Sequence, residues 1–79
     1  MRVILYVKEN CGLCEETEEI LRRARKAIPF EPELVYIDDN PALLSRYEDR
    51  VPVVVIGDQE VASAPVDETR LIAALSSYA

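Results

Sequence analysis

Several things this sequence lacks narrow what it does. It has no histidine and only two cysteines. A structural zinc site takes four nitrogen or sulfur ligands, so one chain does not close such a site alone. Only a metal shared between two chains survives as an alternative. Long apolar runs are missing too: the first, Val3 to Val7, ends after five residues at Lys8 and Glu9. That is far short of the ~20 residues of a membrane-spanning helix and too short for the core of a secretory signal. Positive charge is scarce. Nine lysines and arginines face fifteen acidic residues, for a net charge of −6, which argues against nucleic acid or an anionic membrane surface as partner. The one basic cluster, Arg22 to Lys26, stands against four glutamates earlier in the same segment. No repeat, low-complexity stretch or linker divides the chain. Residues 1–79 are therefore expected to form one domain, working in the cytoplasm, where thiols are kept reduced.

What is present suits a small α/β domain. Apolar residues make up 49% and charged residues 30%, an ordinary globular balance. A chain of this length buries a modest core, so each apolar position counts. Residues 2–7 are β-branched or aromatic with little alternation, which predicts a strand buried on both faces. Leu13, Thr17, Ile20, Leu21, Ala24, Ala27 and Ile28 then recur on one helical face, with Asn10 or Cys11 as cap and Pro29 as stop. Glutamates fill the first half of this helix and basic residues the second, as the helix dipole favours. Glu18–Arg22 and Glu19–Arg23 are predicted pairs.

Leu34 to Ile37 reads as a second strand. Asn40 and Pro41 start a short helix through Leu43, Leu44 and Tyr47. Val51 to Ile56 is a third strand, and Gly57-Asp58-Gln59 turns it into a fourth over Glu60 to Ala62. Asp67 caps a final helix whose expected buried face is Leu71, Ile72, Leu75 and Tyr78. The order is β-α-β-α-β-β-α.

The two cysteines form one unit, Cys11-Gly12-Leu13-Cys14, at the junction of the first strand and helix. As a staple such a tight loop contributes only about 2 kcal/mol by chain entropy. As a redox pair it is well placed. The thiolate is the nucleophile in disulfide exchange, and a helix N-terminus favours it. Cys11 is the expected nucleophile, and Cys14, three residues on, the resolving thiol. The bland alternative is a pair of buried apolar fillers. Gly12 offers a free N–H and a flexible loop. Leu13 is either an apolar contact for a substrate or the first core residue of the helix. Lys8 favours the thiolate or is simply a solvated charge. Composition alone gives the Val51–Pro52 bond the usual trans form.

Tyr6-Val7-Lys8-x-x-Cys11-x-x-Cys14, then Val51-Pro52 after a β-α unit, then Gly57 in a hairpin and a closing helix, resembles the glutaredoxins. It is more similar still to short bacterial glutaredoxin-like proteins with a Cys-x-Leu-Cys site. The resemblance spans nearly the whole chain. It implies a thioredoxin-like fold, with a four-stranded mixed sheet and flanking helices. It implies a cis peptide before Pro52, set against the sulfurs, and pairing of the Val51 backbone with an extended substrate. Lys8 matches the lysine that helps hold glutathione or the thiolate. Gly12 and Leu13 depart from the proline and tyrosine common between glutaredoxin cysteines. Val61-Ala62-Ser63-Ala64-Pro65 replaces the Gly-Gly pair and acid that grip glutathione. The expected activity is thiol–disulfide exchange without a bound cofactor. Its partners would be a protein or small-molecule disulfide and a reductase or dithiol donor, with glutathione a poor one. The alternative is a thioredoxin-like binding or redox-sensing module without turnover.

Overall fold

A computed structural model describes all residues, 1–79. Four strands, β1 (Arg2–Val7), β2 (Glu31–Tyr36), β3 (Val53–Ile56) and β4 (Gln59–Ser63), form one mixed sheet in the order β2-β1-β3-β4. β1 runs parallel to β2 and antiparallel to β3, and β3 is antiparallel to β4. The three helices are α1 (Gly12–Ala24), α2 (Pro41–Tyr47) and α3 (Glu68–Tyr78). This is the expected element order and the thioredoxin-like architecture.

The lack of alternation in β1 follows from its central place. Val3, Leu5 and Val7 are fully buried on one face, and Ile4 and Tyr6 are half-buried on the other. α1 and α3 share the first face. Leu21 and Leu5 line one hollow there, and Arg23 of α1 pairs with Glu68 of α3 at 3.1 Å. α2 lies on the second face, where Tyr47 stacks on Tyr6 with ring centroids 4.6 Å apart. All four residues of β3 are buried, as an inner strand covered on both sides requires.

Local chemistry sets the boundaries. Asn40 accepts from the Ala42 and Leu43 N–H groups, and Asp67 from that of Arg70, so both act as the predicted caps. Gly57 turns the β3–β4 hairpin at φ 63°, a backbone region that glycine enters without a Cβ penalty. Elsewhere the sequence reading needs correction. α1 ends at Ala24, and the chain continues through irregular turns to Pro29, leaving Ala27 exposed. β2 begins at Glu31, three residues earlier than expected. Its Glu-Pro-Glu start is polar because β2 is an edge strand, where Pro32 is tolerated. β3 begins at Val53, two residues late, and β4 runs one residue further than expected at each end. Tyr78 lies exposed near the end of α3 rather than on its buried face. Arg22 bonds to both Glu18 and Glu19, which leaves Arg23 for Glu68 in place of the predicted Glu19 pair.

Arg50 ties the third strand's approach to β4. Its guanidinium pairs with Glu60 and lies 5.4 Å from the Tyr47 ring centroid. The Arg50 hydrogen bond, helped by its charge and opposed by partial burial, holds the Glu60 carboxyl below its ordinary value of 4.5. The folded-state value is thus below the unfolded one. The stabilisation is complete above the ordinary carboxylate range and is lost as pH falls through the lowered value. Glu60→Gln is expected to lower Tm slightly at neutral pH. In acid, as pH falls from the ordinary 4.5 to below the lowered value, the wild-type and variant Tm curves should converge. A gap that persists there would mean the charge of Glu60 is not what stabilises the hairpin.

Candidate redox site

The site grows from the end of β1. Lys8 and Glu9 leave the sheet, Asn10 adopts φ 55°, and Cys11 returns to an extended backbone as the N-cap of α1. Asparagine is among the few residues that enter this left-handed region readily, so it makes the sharp bend that was expected of Gly12. Gly12 begins the helix with open space where a Cβ would be. Cys11 caps as serine would. Its sulfur accepts a hydrogen bond from the Cys14 N–H at 3.1 Å, and its carbonyl accepts from Glu15 N–H at 3.2 Å. The sulfur therefore faces the unpaired donors and the positive end of the helix dipole.

Cys11 and Cys14 are joined as a disulfide with their Cα atoms 5.2 Å apart. The two are not equivalent. Cys14 is 4% exposed and belongs to the core, whereas Cys11 is half-buried at the surface. Leu13 is 51% exposed, so it is not the first core residue of the helix. Thr17 is buried and donates to the Leu13 carbonyl at 3.0 Å, which satisfies its hydroxyl inside the helix.

A hollow of about 320 Å³ opens beside the disulfide. Val7, Lys8, Cys11, Cys14 and Tyr36 line it. Glu9, Glu15 and Glu18 line it too, so three acidic residues surround the disulfide. The Lys8 side chain is directed to the C-terminal end of α2, where Nζ lies 3.5 Å from the Glu48 carbonyl oxygen. Val51 and Pro52 are buried just before β3, and the bond between them is cis. The antiparallel register pairs Tyr6 with Val53. Extended by one residue, it sets Pro52 beside Val7, at the end of β1 from which the cysteine loop springs. A second cis bond, Ala64–Pro65, follows β4 and had no counterpart in the sequence reading.

The topology thus gathers Lys8 and both cysteines around one hollow, with Gly12 and Leu13 exposed between the cysteines and outside its lining, and Val51-Pro52 at the neighbouring strand end. Sequence reasoning missed Tyr36, Glu9 and Glu18. The available signal was the parallel pairing of β1 and β2, which aligns Tyr36 with Val7.

Comparison with known proteins agrees with this geometry. The family described as glutaredoxin-like domain (DUF836) matches residues 2–76. The protein XcR50 of X. campestris superposes with a TM-score of 0.81 at 37% identity, over 95% of this chain and 96% of that one. Thioredoxin 1 of Thermosipho africanus shares the fold, with a TM-score of 0.73 at 17% identity over 99% and 93% of the two chains. The Escherichia coli NrdH-redoxin, described as a glutaredoxin-like protein with a thioredoxin-like activity profile, gives 0.57 at 29% identity over 90% and 95%. With its Cys11–Cys14 pair in C-x-x-C spacing on a thioredoxin-like sheet, the chain belongs to the glutaredoxin-like domain family and carries that family's thiol redox pair.

Proposed function

We propose that the protein is a cytoplasmic dithiol–disulfide oxidoreductase that reduces disulfides through Cys11 and Cys14. The observation that carries this reading is the asymmetry of the pair: Cys11 is accessible and held at a helix N-terminus, and Cys14 is buried behind it. In the reduced protein the Cys11 thiolate attacks one sulfur of a substrate disulfide. A bond forms between Cys11 and that sulfur, the substrate S–S bond breaks, and the other sulfur leaves as a thiolate that takes up a proton. Cys14, deprotonated in turn, attacks the Cys11 sulfur. The mixed disulfide breaks, the second substrate thiol is released, and the Cys11–Cys14 disulfide remains. Two electrons have passed to the substrate. A dithiol donor returns them by the reverse exchange and becomes a disulfide itself.

Other residues take supporting roles in this reading. The Cys14 N–H that bonds the Cys11 sulfur stabilises its negative charge. Lys8 places a positive charge at the end of β1, with its ammonium held toward the Glu48 carbonyl. Gly12 and Leu13 present backbone and apolar surface to the substrate. Val51, beside Pro52, offers its main chain for strand-like pairing.

Glutathione fits poorly as the donor. In the stretch where glutaredoxins grip it, the Ala64 N–H is already donated to the Arg50 carbonyl at 3.1 Å, Pro65 has no N–H, and Asp67 is engaged as the α3 cap. An exposed pair between Lys8 and a glutathione carboxylate contributes about 1 kcal/mol or less. Reduction of the oxidised protein by glutathione is therefore expected to be slow and non-saturable, and reduction by a dithiol at matched driving force faster. Stopped-flow kinetics separate the two, and fast saturable reduction by glutathione would contradict the expectation.

The proposal itself is tested by equilibrating the protein in dithiol redox buffers and assaying turnover on a protein disulfide. A potential within the range of catalytic dithiols, about −120 to −270 mV, with multiple turnovers, is the expected result. A stable disulfide far below that range, with no turnover, would mark the pair as structural.

A further inference from the structure

One strip of the sheet is left uncovered. Val3, Leu5 and Val7 are buried beneath the helices, yet Leu34 and Tyr36, aligned with Leu5 and Val7 across the parallel ladder, are 40% and 51% exposed. Aligned residues of neighbouring strands project to the same face, so α1 covers β1 on this face but stops short of β2. Between α1 and the bare strip lies a second hollow of about 160 Å³, whose apolar lining is Leu5, Leu21 and Leu34 beside Pro32. Glu18 lines both this hollow and the one at the disulfide. With Glu18 between them, the two hollows lie in line as a groove along the α1–β2 seam, from the cysteines past Tyr36, Leu34 and Pro32, a length of roughly 13 Å at ~3.3 Å per strand residue. Large apolar side chains left bare in a groove mark an interaction surface.

The charge along the groove is uneven. At its far end Arg22 is paired with Glu18 and Glu19, and Arg25 with Glu31. At the disulfide end Glu9 and Glu15 form no salt bridge. Lys8, the one cation lining this end, turns its ammonium to the Glu48 carbonyl, so the charge left beside Cys11 is negative.

We propose that this groove seats a segment of a partner polypeptide, with a lysine or arginine next to the partner's cysteine facing Glu9 and Glu15, and a large apolar side chain resting on Leu34 and Tyr36. The inference deepens the oxidoreductase reading and rests on it. It names the substrate class as protein disulfides flanked by basic and apolar residues. It also adds the α1–β2 side to the Val51-Pro52 strand end as a surface that recognises the substrate.

Binding and chemistry are tested apart. Two fluorescent peptides share a leucine and carry serine in place of the reactive cysteine, one flanked by lysines and the other by glutamates. Their affinity for the oxidised protein is read by anisotropy. The lysine peptide is expected to bind about five-fold or more tightly at low salt, with the difference shrinking as salt rises. Glu15→Gln should narrow the gap, and Leu34→Ser should weaken both peptides. In parallel the reduced protein is reacted with 2-hydroxyethyl disulfide, which is neutral and too small to reach Leu34, so the Leu34→Ser rate should match wild type. Equal affinity for the two peptides, indifference of binding to Leu34→Ser, or a Leu34→Ser loss that extends to the small disulfide overturns the groove. Failure of the wild type to reduce 2-hydroxyethyl disulfide overturns the oxidoreductase reading instead, while the anisotropy still decides whether the groove binds polypeptide.

Discussion

Cys11→Ser is expected to bring disulfide exchange down to the uncatalysed background, while Cys14→Ser halts the cycle one step later with the partner still attached. The difference follows from where the two sulfurs lie. Cys11 is at the surface, facing the start of α1, and accepts the Cys14 N–H. Serine keeps that capping geometry, since a hydroxyl is a good N-cap, so the fold should persist without the nucleophile. Cys14 is in the core and reaches no external disulfide. With serine there, Cys11 still attacks, but nothing resolves the mixed disulfide. Non-reducing mass spectrometry after mixing with a protein disulfide should find a covalent adduct on Cys14→Ser and none on Cys11→Ser. Adducts in the reverse pattern would exchange the two roles.

The second large effect lies in the packing that holds α1. Leu21 is 2% exposed and sits in the core near Leu5. Truncating such a leucine to alanine costs about 2–5 kcal/mol, from lost transfer energy and the cavity left behind. A domain of this size has roughly 4–12 kcal/mol of total stability, at ~0.05–0.15 kcal/mol per residue. Leu21→Ala should therefore lower Tm by roughly 8–40 °C, at ~4–8 °C per kcal/mol. Leu13→Ala is the control. It changes an exposed leucine on the same helix, and surface changes of this kind stay within about 0.5 kcal/mol. Denaturant unfolding of both oxidised variants checks the pair. Similar losses would mean that Leu13 packs inward and that α1 is rotated from its described position.

How far the sequence could be read depends on which residues act locally. Asn40, Asp67 and Gly57 hold their places through short-range chemistry, and each was legible. So was β1, because a central strand needs apolar residues on both faces. β2 was only half legible. Its edge position frees Glu31 and Glu33 from any need to be apolar, so the strand's start carries no hydrophobic signal. The end of α1 was overextended because Ala27 and Ile28 keep the helical spacing although the helix has already ended. The cis bond at Val51–Pro52 was foreseen through resemblance alone, since nothing in the local composition distinguishes it. At the site, the Cys-x-x-Cys spacing and the strand-to-helix junction announced the two sulfurs. Tyr36 and the glutamates of the hollow did not announce themselves. Tyr36 belongs to a strand distant in sequence, and the parallel β1–β2 register brings it to the cysteines; Glu9, Glu15 and Glu18 flank the cysteines in the chain, but which side chains line the hollow is set by the loop and the first turns of α1.

The central claim is that the start of α1 makes Cys11 the reactive thiolate of the pair. Sub-stoichiometric alkylation of the reduced protein across a pH series, followed by peptide mapping, tests it most directly. The account predicts labelling at Cys11 first, with a thiolate that forms below the ordinary cysteine value of about 8.5, and little label on Cys14 until the protein is unfolded. Preferential labelling of Cys14, or equal labelling with an unshifted pH profile, would contradict it.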